Sequence, residues 1–188
     1  MDTGWQIDSK TGYLQGAIRR CSPNYDHRPV GCEIDLIVLH NISLPAGHFG
    51  GPHIDALFMN ELDLCAHPDF KALDRLRVSS HLLIGRDGRV FQYVPFHLRA
   101  WHAGVSSYCG RENCNDFSIG IELEGADDTP YEMLQYQRLT QITQALVSGY
   151  DTLSVERITG HSDIAPGRKT DPGPAFDWVH FKQLLNTA

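Results

Sequence analysis

Several familiar signposts are missing from this chain. No apolar run approaches the ~18 residues of a membrane span. There is no basic surplus: 16 Lys and Arg stand against 23 Asp and Glu, a net charge of −7, which excludes the electrostatic footprint of a nucleic-acid binder. There is no CxxC pair. The five cysteines (Cys21, Cys32, Cys65, Cys109, Cys114) are an odd number, and the spacing of Cys109 and Cys114 matches no zinc finger. They are expected to be free thiols in a reducing cytosol. The opening Met1–Asp8 has neither a basic nor an apolar leader region, so the chain is expected to be cytoplasmic. No repeat or low-complexity segment interrupts it. A length of 188 residues, 41% of them hydrophobic and 21% charged, describes one globular domain over residues 1–188.

What is present is a pattern of alternating strands and helices. Residues 1–30 are polar and turn-rich and are expected to wrap the surface. Ile34–Leu39 is apolar on both faces, which predicts a central strand covered on both sides. Asn41–Pro52 is rich in Gly and Pro and reads as a loop. Ile54, Leu57, Phe58 and Leu62 then follow helical spacing. His81–Pro95 reads as a hairpin, with Asp87-Gly88 as a two-residue type I′ turn. Arg99–Gly104 begins a further loop. In Phe117–Gly125, Ile119, Ile121 and Leu123 share one face, while Glu122 and Glu124 share the other, expected to be solvated. Thr129, Pro130 and Glu132 predict a capped helix start, followed by a stripe of Leu139, Ile142, Leu146 and Tyr150. A short strand over 156–159 leads to His161. Asp177 can cap a last helix that turns Trp178, Phe181, Leu184 and Leu185 inward. The fold class is therefore α/β: a mixed central β-sheet flanked by helices.

Chemistry concentrates at two places. His40 ends the first strand, where ligand sites of open α/β sheets tend to lie. Far downstream, His161-Ser-Asp-Ile-Ala-Pro-Gly-Arg-Lys169-Thr-Asp171-Pro-Gly is a loop stiffened by Pro166 and Pro172. Two histidines and a carboxylate make the ligand count of a catalytic zinc site with a fourth position open. His40, His161 and Asp171 are the candidate set. A hydrolase also needs a base, and either Glu122 or Glu124 satisfies the alternation. Lys169, two residues before Asp171, is a candidate for stabilising an oxyanion. A competing pattern is the triplet His161-Ser-Asp163, which with a later histidine would suit a non-haem iron site. The later histidine here is His180, inside the last predicted helix.

These residues sit in blocks that resemble a known family. His40–Pro45, Phe49–Gly51, Arg77–His81, Arg99–Ser106, Asn115–Gly125 and Gly160–Gly173 are similar, in order and over nearly the whole chain, to the zinc-dependent N-acetylmuramoyl-L-alanine amidases. That family is related to phage lysozyme-type amidases and peptidoglycan recognition proteins. The resemblance implies zinc held by His40, His161 and Asp171. It implies Glu122, rather than Glu124, as the catalytic glutamate, and Lys169 as the group that stabilises the transition state. It also implies muropeptide contacts at Asn41, Arg77 and the backbone around Ala165, with Trp101 and His102 lining the cleft. One position departs: some relatives carry arginine where this chain has Asn113, so any carboxylate recognition falls to Arg77 or another basic group.

The implied reaction is hydrolysis of the amide between the lactyl group of 1,6-anhydro-N-acetylmuramic acid and L-alanine. The implied setting is cytosolic cell-wall recycling, which feeds control of β-lactamase induction. The expected partner is a small muropeptide, with no nucleic acid and no membrane, and the chain is expected to act as a monomer. A binding module is the competing class, since some relatives lose a ligand and only bind; this chain keeps all three ligands together with Glu122 and Lys169.

Overall fold

The computed structural model describes residues 4–187. Residues 1–3 of the expected surface wrap, and Ala188, lie outside the described residues. Six strands form the main sheet: β1 (Ile18–Arg19), β2 (Leu36–Ile42), β3 (Leu82–Ile84), β4 (Val90–Gln92), β5 (Ser118–Glu124) and β6 (Ile158–Gly160). Their spatial order is β6-β2-β5-β3-β4-β1. Strands β6, β2, β5 and β3 run parallel, and β4 turns back antiparallel to β3. The sheet is mixed, as the sequence predicts.

Helices α2 (Met133–Gly149) and α4 (Trp178–Thr187) cover one face, built on Ile37, Leu39, Ile119, Ile121 and Leu123. Leu139, Ile142 and Leu146 of α2 are fully buried there. Burying one such side chain contributes roughly 1.5–3 kcal/mol. The other face is covered by the short helix α1 (His53–Phe58), through Ile54, Leu57 and Phe58. Ala103, Cys114, Phe117 and Ile164 pack over Leu36 and Val38 on the same side. The remaining helix, α3 (His161–Ile164), is a single turn.

Five local expectations change. First, the face of β5 that carries Glu122 and Glu124 is not solvated: all seven residues of the strand are buried. Alternation reports two different faces, and here loops and α1 cover the second one. Second, β2 continues through Ile42, because Glu124 of β5 pairs with it; Asn41 is therefore a strand residue. Third, the β3–β4 connection is not a two-residue turn. Gly88 N–H donates to Gly85 O and Gly85 N–H to Arg89 O. Only Gly88 has positive φ (+76°), whereas a type I′ turn needs two such residues. The loop is thus three residues, with Gly88 in the left-handed position.

Fourth, α2 begins at Met133. Gln135 Oε1 accepts from Glu132 N–H at 3.0 Å, and Thr129 pairs with Ala126 instead. Buried Tyr131, whose hydroxyl donates to Pro172 O at 2.7 Å, takes the preceding residues into the core before the helix starts. Fifth, residues 4–30 do more than wrap. Ile18–Arg19 is an edge strand of the sheet, and Tyr25–His27 pairs with Leu98–Ala100. Asp177 caps α4 as expected, its carboxylate accepting from His180 N–H at 2.8 Å.

Arg28 fixes this N-terminal segment beneath the site. Its guanidinium donates to the carbonyls of Phe96, Asn115, Asp116 and Ser118 at 2.8–3.3 Å. Burial lowers its pKa to about 10. Among the described residues no carboxylate hydrogen-bonds to it; backbone carbonyls hold the charge, with His81 Nε2 3.1 Å from Nη2. Arg28→Met leaves those carbonyls without their donors, and is expected to destabilise the protein by roughly 2–4 kcal/mol, measured by urea unfolding. A loss under about 0.5 kcal/mol would reject that role.

Candidate active site

The parallel pairing of β2 with β5 sets the frame. His40 lies opposite Glu122 in register, so both side chains rise from the same sheet face, away from α2. Strand β6 pairs with β2 through Gly160↔Leu39, and the chain then enters α3 at His161. The loop after α3 returns Asp171 to the same point, where Asp171 O accepts from Ser162 N–H at 2.9 Å.

Three atoms converge there. His40 Nδ1, His161 Nδ1 and Asp171 Oδ2 are mutually 3.0 Å apart, and among the described residues this is the cluster that could hold a metal ion. A tetrahedron with its corners about 2.0–2.1 Å from a central zinc has edges of about 3.3 Å, so the spacing suits three ligands of one ion.

The hydrogen bonds at the far sides of the rings make the case stronger. His161 Nε2 lies 3.0 Å from Ala103 O, which can only accept, so Nε2 carries the hydrogen and the neutral ring keeps its lone pair on Nδ1. His40 Nε2 lies 2.9 Å from His102 Nδ1. His102 Nε2 lies 3.2 Å from Ser118 Oγ, whose own hydrogen goes to Cys114 O. The chain ends on an acceptor, and each hydrogen along it therefore points toward Cys114. His40 is left with its lone pair on Nδ1. Two lone pairs and a carboxylate oxygen then face one another with no hydrogen between them, an arrangement that a cation resolves.

Electrostatics agree. Burial lowers the His40 pKa to about 4, with Asp171 opposing and His161 reinforcing the shift, so the ring is neutral, as a ligand must be. Burial pushes Asp171 up, but the imidazoles facing its Oδ2 outweigh this and hold it below the ordinary carboxylate range. Glu122 moves the other way. Burial and then the nearby Asp171 raise it well above its usual value, with Lys169 pulling it back. Its Oε2 is buried with no hydrogen-bond partner among the described residues. An unpaired buried carboxyl oxygen is costly, and carboxyls perturbed in this way cluster at functional sites.

Glu124, the alternative base, is fully engaged. Its carboxylate accepts from Gly50 N–H and from Arg86 N–H, tying the loop after β2 to the β3–β4 turn. Lys169 is exposed but within electrostatic reach of both Glu122 and His40. Asn41 spends its amide nitrogen on Asp127 Oδ1 (2.8 Å) and Pro172 O (3.1 Å). Trp101 is half-buried, and its Nε1 is buried without a partner. Ala165 lines a 390 Å³ cavity with Asn113, Pro166 and Arg168, yet its N–H donates to His161 O and its carbonyl accepts from Arg168 and Lys169. Arg77 is exposed, and the side-chain hydrogen bond the structure gives it goes to Leu76 O; no bond joins it to the cluster. His102 departs from the expected cleft-lining place. It is 9% exposed, and both ring nitrogens are engaged as described, so it stands behind His40.

The iron-type pattern does not assemble. Asp163 Oδ2 accepts from Thr159 Oγ1 and Gly160 N–H, both at 2.9 Å, which turns it away from His161 Nδ1. His180 packs edge-on against Tyr136. Sequence reasoning missed Ser118, Asn115 and Arg168, whose Nη2 donates to Ala103 O at 2.7 Å. Nothing in their spacing marks them: Asn115 and Arg168 act through backbone groups of another segment, and Ser118 acts through the His102 ring.

Comparison with known proteins agrees with this geometry. The family model described as N-acetylmuramoyl-L-alanine amidase matches residues 30–174. The 1,6-anhydro-N-acetylmuramyl-L-alanine amidase AmpD of Escherichia coli (strain K12) is 59% identical over 175 residues, covering 93% of this chain and 95% of its own. A crystal structure of a selenomethionine AmpD derivative superimposes with a TM-score of 0.91 at 57% identity, covering 95% of this chain and 98% of the other. AmpDh3 of Pseudomonas aeruginosa, solved in complex with anhydromuramic pentapeptide, gives a TM-score of 0.60 at 32% identity over 83% of this chain and 61% of that one. The catalytic-site geometry, the family match over most of the chain and these likenesses lead to one conclusion: this chain belongs to the N-acetylmuramoyl-L-alanine amidases.

Proposed function

We propose that the protein is a zinc-dependent hydrolase. It cleaves the amide between the lactyl group of 1,6-anhydro-N-acetylmuramic acid and L-alanine in small muropeptides. The observation that carries this reading is the unpaired, buried Oε2 of Glu122 beside three converging ligand atoms. His40, His161 and Asp171 would hold the zinc. When bound, the ion would supply Lewis acidity and lower the pKa of an attacking water. Zinc is favoured over iron because the donor set serves a hydrolysis that needs a base and no redox partner.

Glu122 takes a proton from the attacking water as its oxygen bonds to the lactyl carbon. It returns that proton to the alanine nitrogen as the C–N bond breaks. The raised pKa of Glu122 suits both halves of this exchange, since an acid–base group works best near the operating pH. Lys169 places a positive charge near the developing oxyanion. Asn41 offers its Oδ1 to the substrate, its nitrogen being spent, while Trp101 offers the exposed part of its half-buried ring. Arg77 is an exposed cation suited to a peptide carboxylate, and Ala165 lines the cavity beside Asn113.

The protein acts as a monomer on recycled wall fragments in the cytosol, and removal of those fragments damps β-lactamase induction. Five free thiols fit a reducing compartment, and no helix of the described residues is long and apolar enough to cross a membrane.

Glu122→Ala is expected to lower turnover by about 10²–10⁴-fold with zinc content unchanged, measured by product mass spectrometry and metal analysis. Full turnover in that variant would remove Glu122 from the mechanism. Activity on anhydro-muropeptide should exceed that on intact sacculi; the reverse preference argues against a recycling role.

Glu122 also has a stability signature in the metal-free protein. The unfolded chain releases this proton near pH 4.5, the folded chain at a higher pH. Between the two, the folded state binds more protons, and stability falls as pH rises. Glu122→Gln should therefore be more stable than the parent at neutral pH, with the gap closing as pH falls toward 4.5. Denaturant midpoints measured across that range test this; a gap independent of pH would contradict a raised Glu122.

A further inference from the structure

His102 and Ala103 are adjacent in sequence and serve different metal-site histidines. His102 Nδ1 faces His40 Nε2 at 2.9 Å, and Ala103 O faces His161 Nε2 at 3.0 Å. One side chain holds both: Asn115 Oδ1 accepts from His102 N–H at 3.0 Å and from Ala103 N–H at 2.8 Å. We propose that His102–Ala103, clamped by Asn115 and terminated by Ser118, is one positioning device that fixes the tautomers of His40 and His161 so that both present Nδ1 lone pairs to the metal.

The surroundings leave the device little freedom. The His102 ring fills the space over Gly120, where a Cβ would lie 2.4 Å from its Cγ. It meets the His40 ring edge-on, with centroids 5.0 Å apart and planes at 82°. The ring is buried with no carboxylate hydrogen-bonded to it, so a charged form has no partner there. The hydrogen on Ser118 Oγ is committed to Cys114 O, and this sets the donor end of His102. On the other branch, Arg168 Nη2 donates to Ala103 O at 2.7 Å and Val105 O at 2.6 Å, which holds the carbonyl that orients His161. A carbonyl oxygen has two lone pairs and serves both donors. Outer partners of this kind set ligand orientation and basicity, and losing one typically costs about 10–100-fold in metal affinity.

The affinity part of this inference rests on the zinc reading above; the tautomer part does not. Two measurements keep them apart. Long-range proton–nitrogen NMR of the metal-free protein reads the histidine tautomers, and competition with a chromophoric chelator reads affinity for zinc alone. The parent should show His40 and His161 each with hydrogen on Nε2. His102→Leu should release His40 into a mixture of tautomers while His161 keeps its own, and should weaken zinc binding by about 10–100-fold. His102→Gln, whose carbonyl can accept from His40 Nε2–H, should recover most of that loss.

Ser118→Ala should disturb the same two rings more mildly, and it carries the test if His102→Leu fails to fold. Unchanged tautomers and unchanged zinc affinity in a folded His102→Leu, or an undisturbed His40 and His102 in Ser118→Ala when that variant stands alone, would overturn the proposal. A parent that takes up no zinc would overturn the metal assignment instead, and the tautomer spectrum would still judge the positioning role.

Discussion

Everything at the site depends on the register between β2 and β5. Seven consecutive parallel pairs, from Ser118↔Leu36 to Glu124↔Ile42, place Glu122 beside His40 on one face and stack Ile119, Ile121 and Leu123 against α2 on the other. A slip of one residue would turn Glu122 into the apolar core and the isoleucines into the site. The burial of that core therefore does two things at once. It holds the sheet together, and it aims Glu122 at the space beside His40. Strand β6, paired to β2 at Gly160↔Leu39, adds His161 by the same logic, and the return of the chain after α3 adds Asp171.

The sheet was largely legible because its signals are local. Ile34–Leu39 shows two-sided apolar character, Phe117–Gly125 shows alternation, and Asp177 stands where a helix cap belongs. What went unread depends on partners far away in the chain. Alternation separates the two faces of β5 but does not say that α1 and loops cover the second one, so Glu122 and Glu124 looked solvated. The start of α2 moves to Met133 because Tyr131 finds Pro172 O, a contact across 41 residues. The converging residues are legible as types: two histidines that end or follow strands and a loop carboxylate. In the second circle of the site, His102 was named but for another role, and Ala103, Asn115, Ser118 and Arg168 were not seen, because backbone carbonyls and amides that orient the circle have no sequence identity.

The site is also a concentrated departure from the rules that stabilise the rest of the fold. A glutamate oxygen is buried without a partner among the described residues, an aspartate sits in a largely enclosed position, and two buried imidazoles turn their Nδ1 atoms toward it. Each of these costs stability in isolation. The compensation is distributed: Arg28 holds four backbone carbonyls beneath the site, and α2 and α4 bury a continuous apolar face on the opposite side of the sheet. The divided layers let one face of the sheet be rigid and dry while the other accommodates charge.

Glu124 shows how the loops around this face are bound to one another. Its two oxygens reach Gly50 N–H in the loop after β2 and Arg86 N–H in the β3–β4 turn, and Arg86 in turn lies over the Phe49 ring, 4.7 Å from its centroid. These two loops are therefore a single unit in design terms. An insertion or graft in one changes the path of the other, so lengths in the two segments must be altered together.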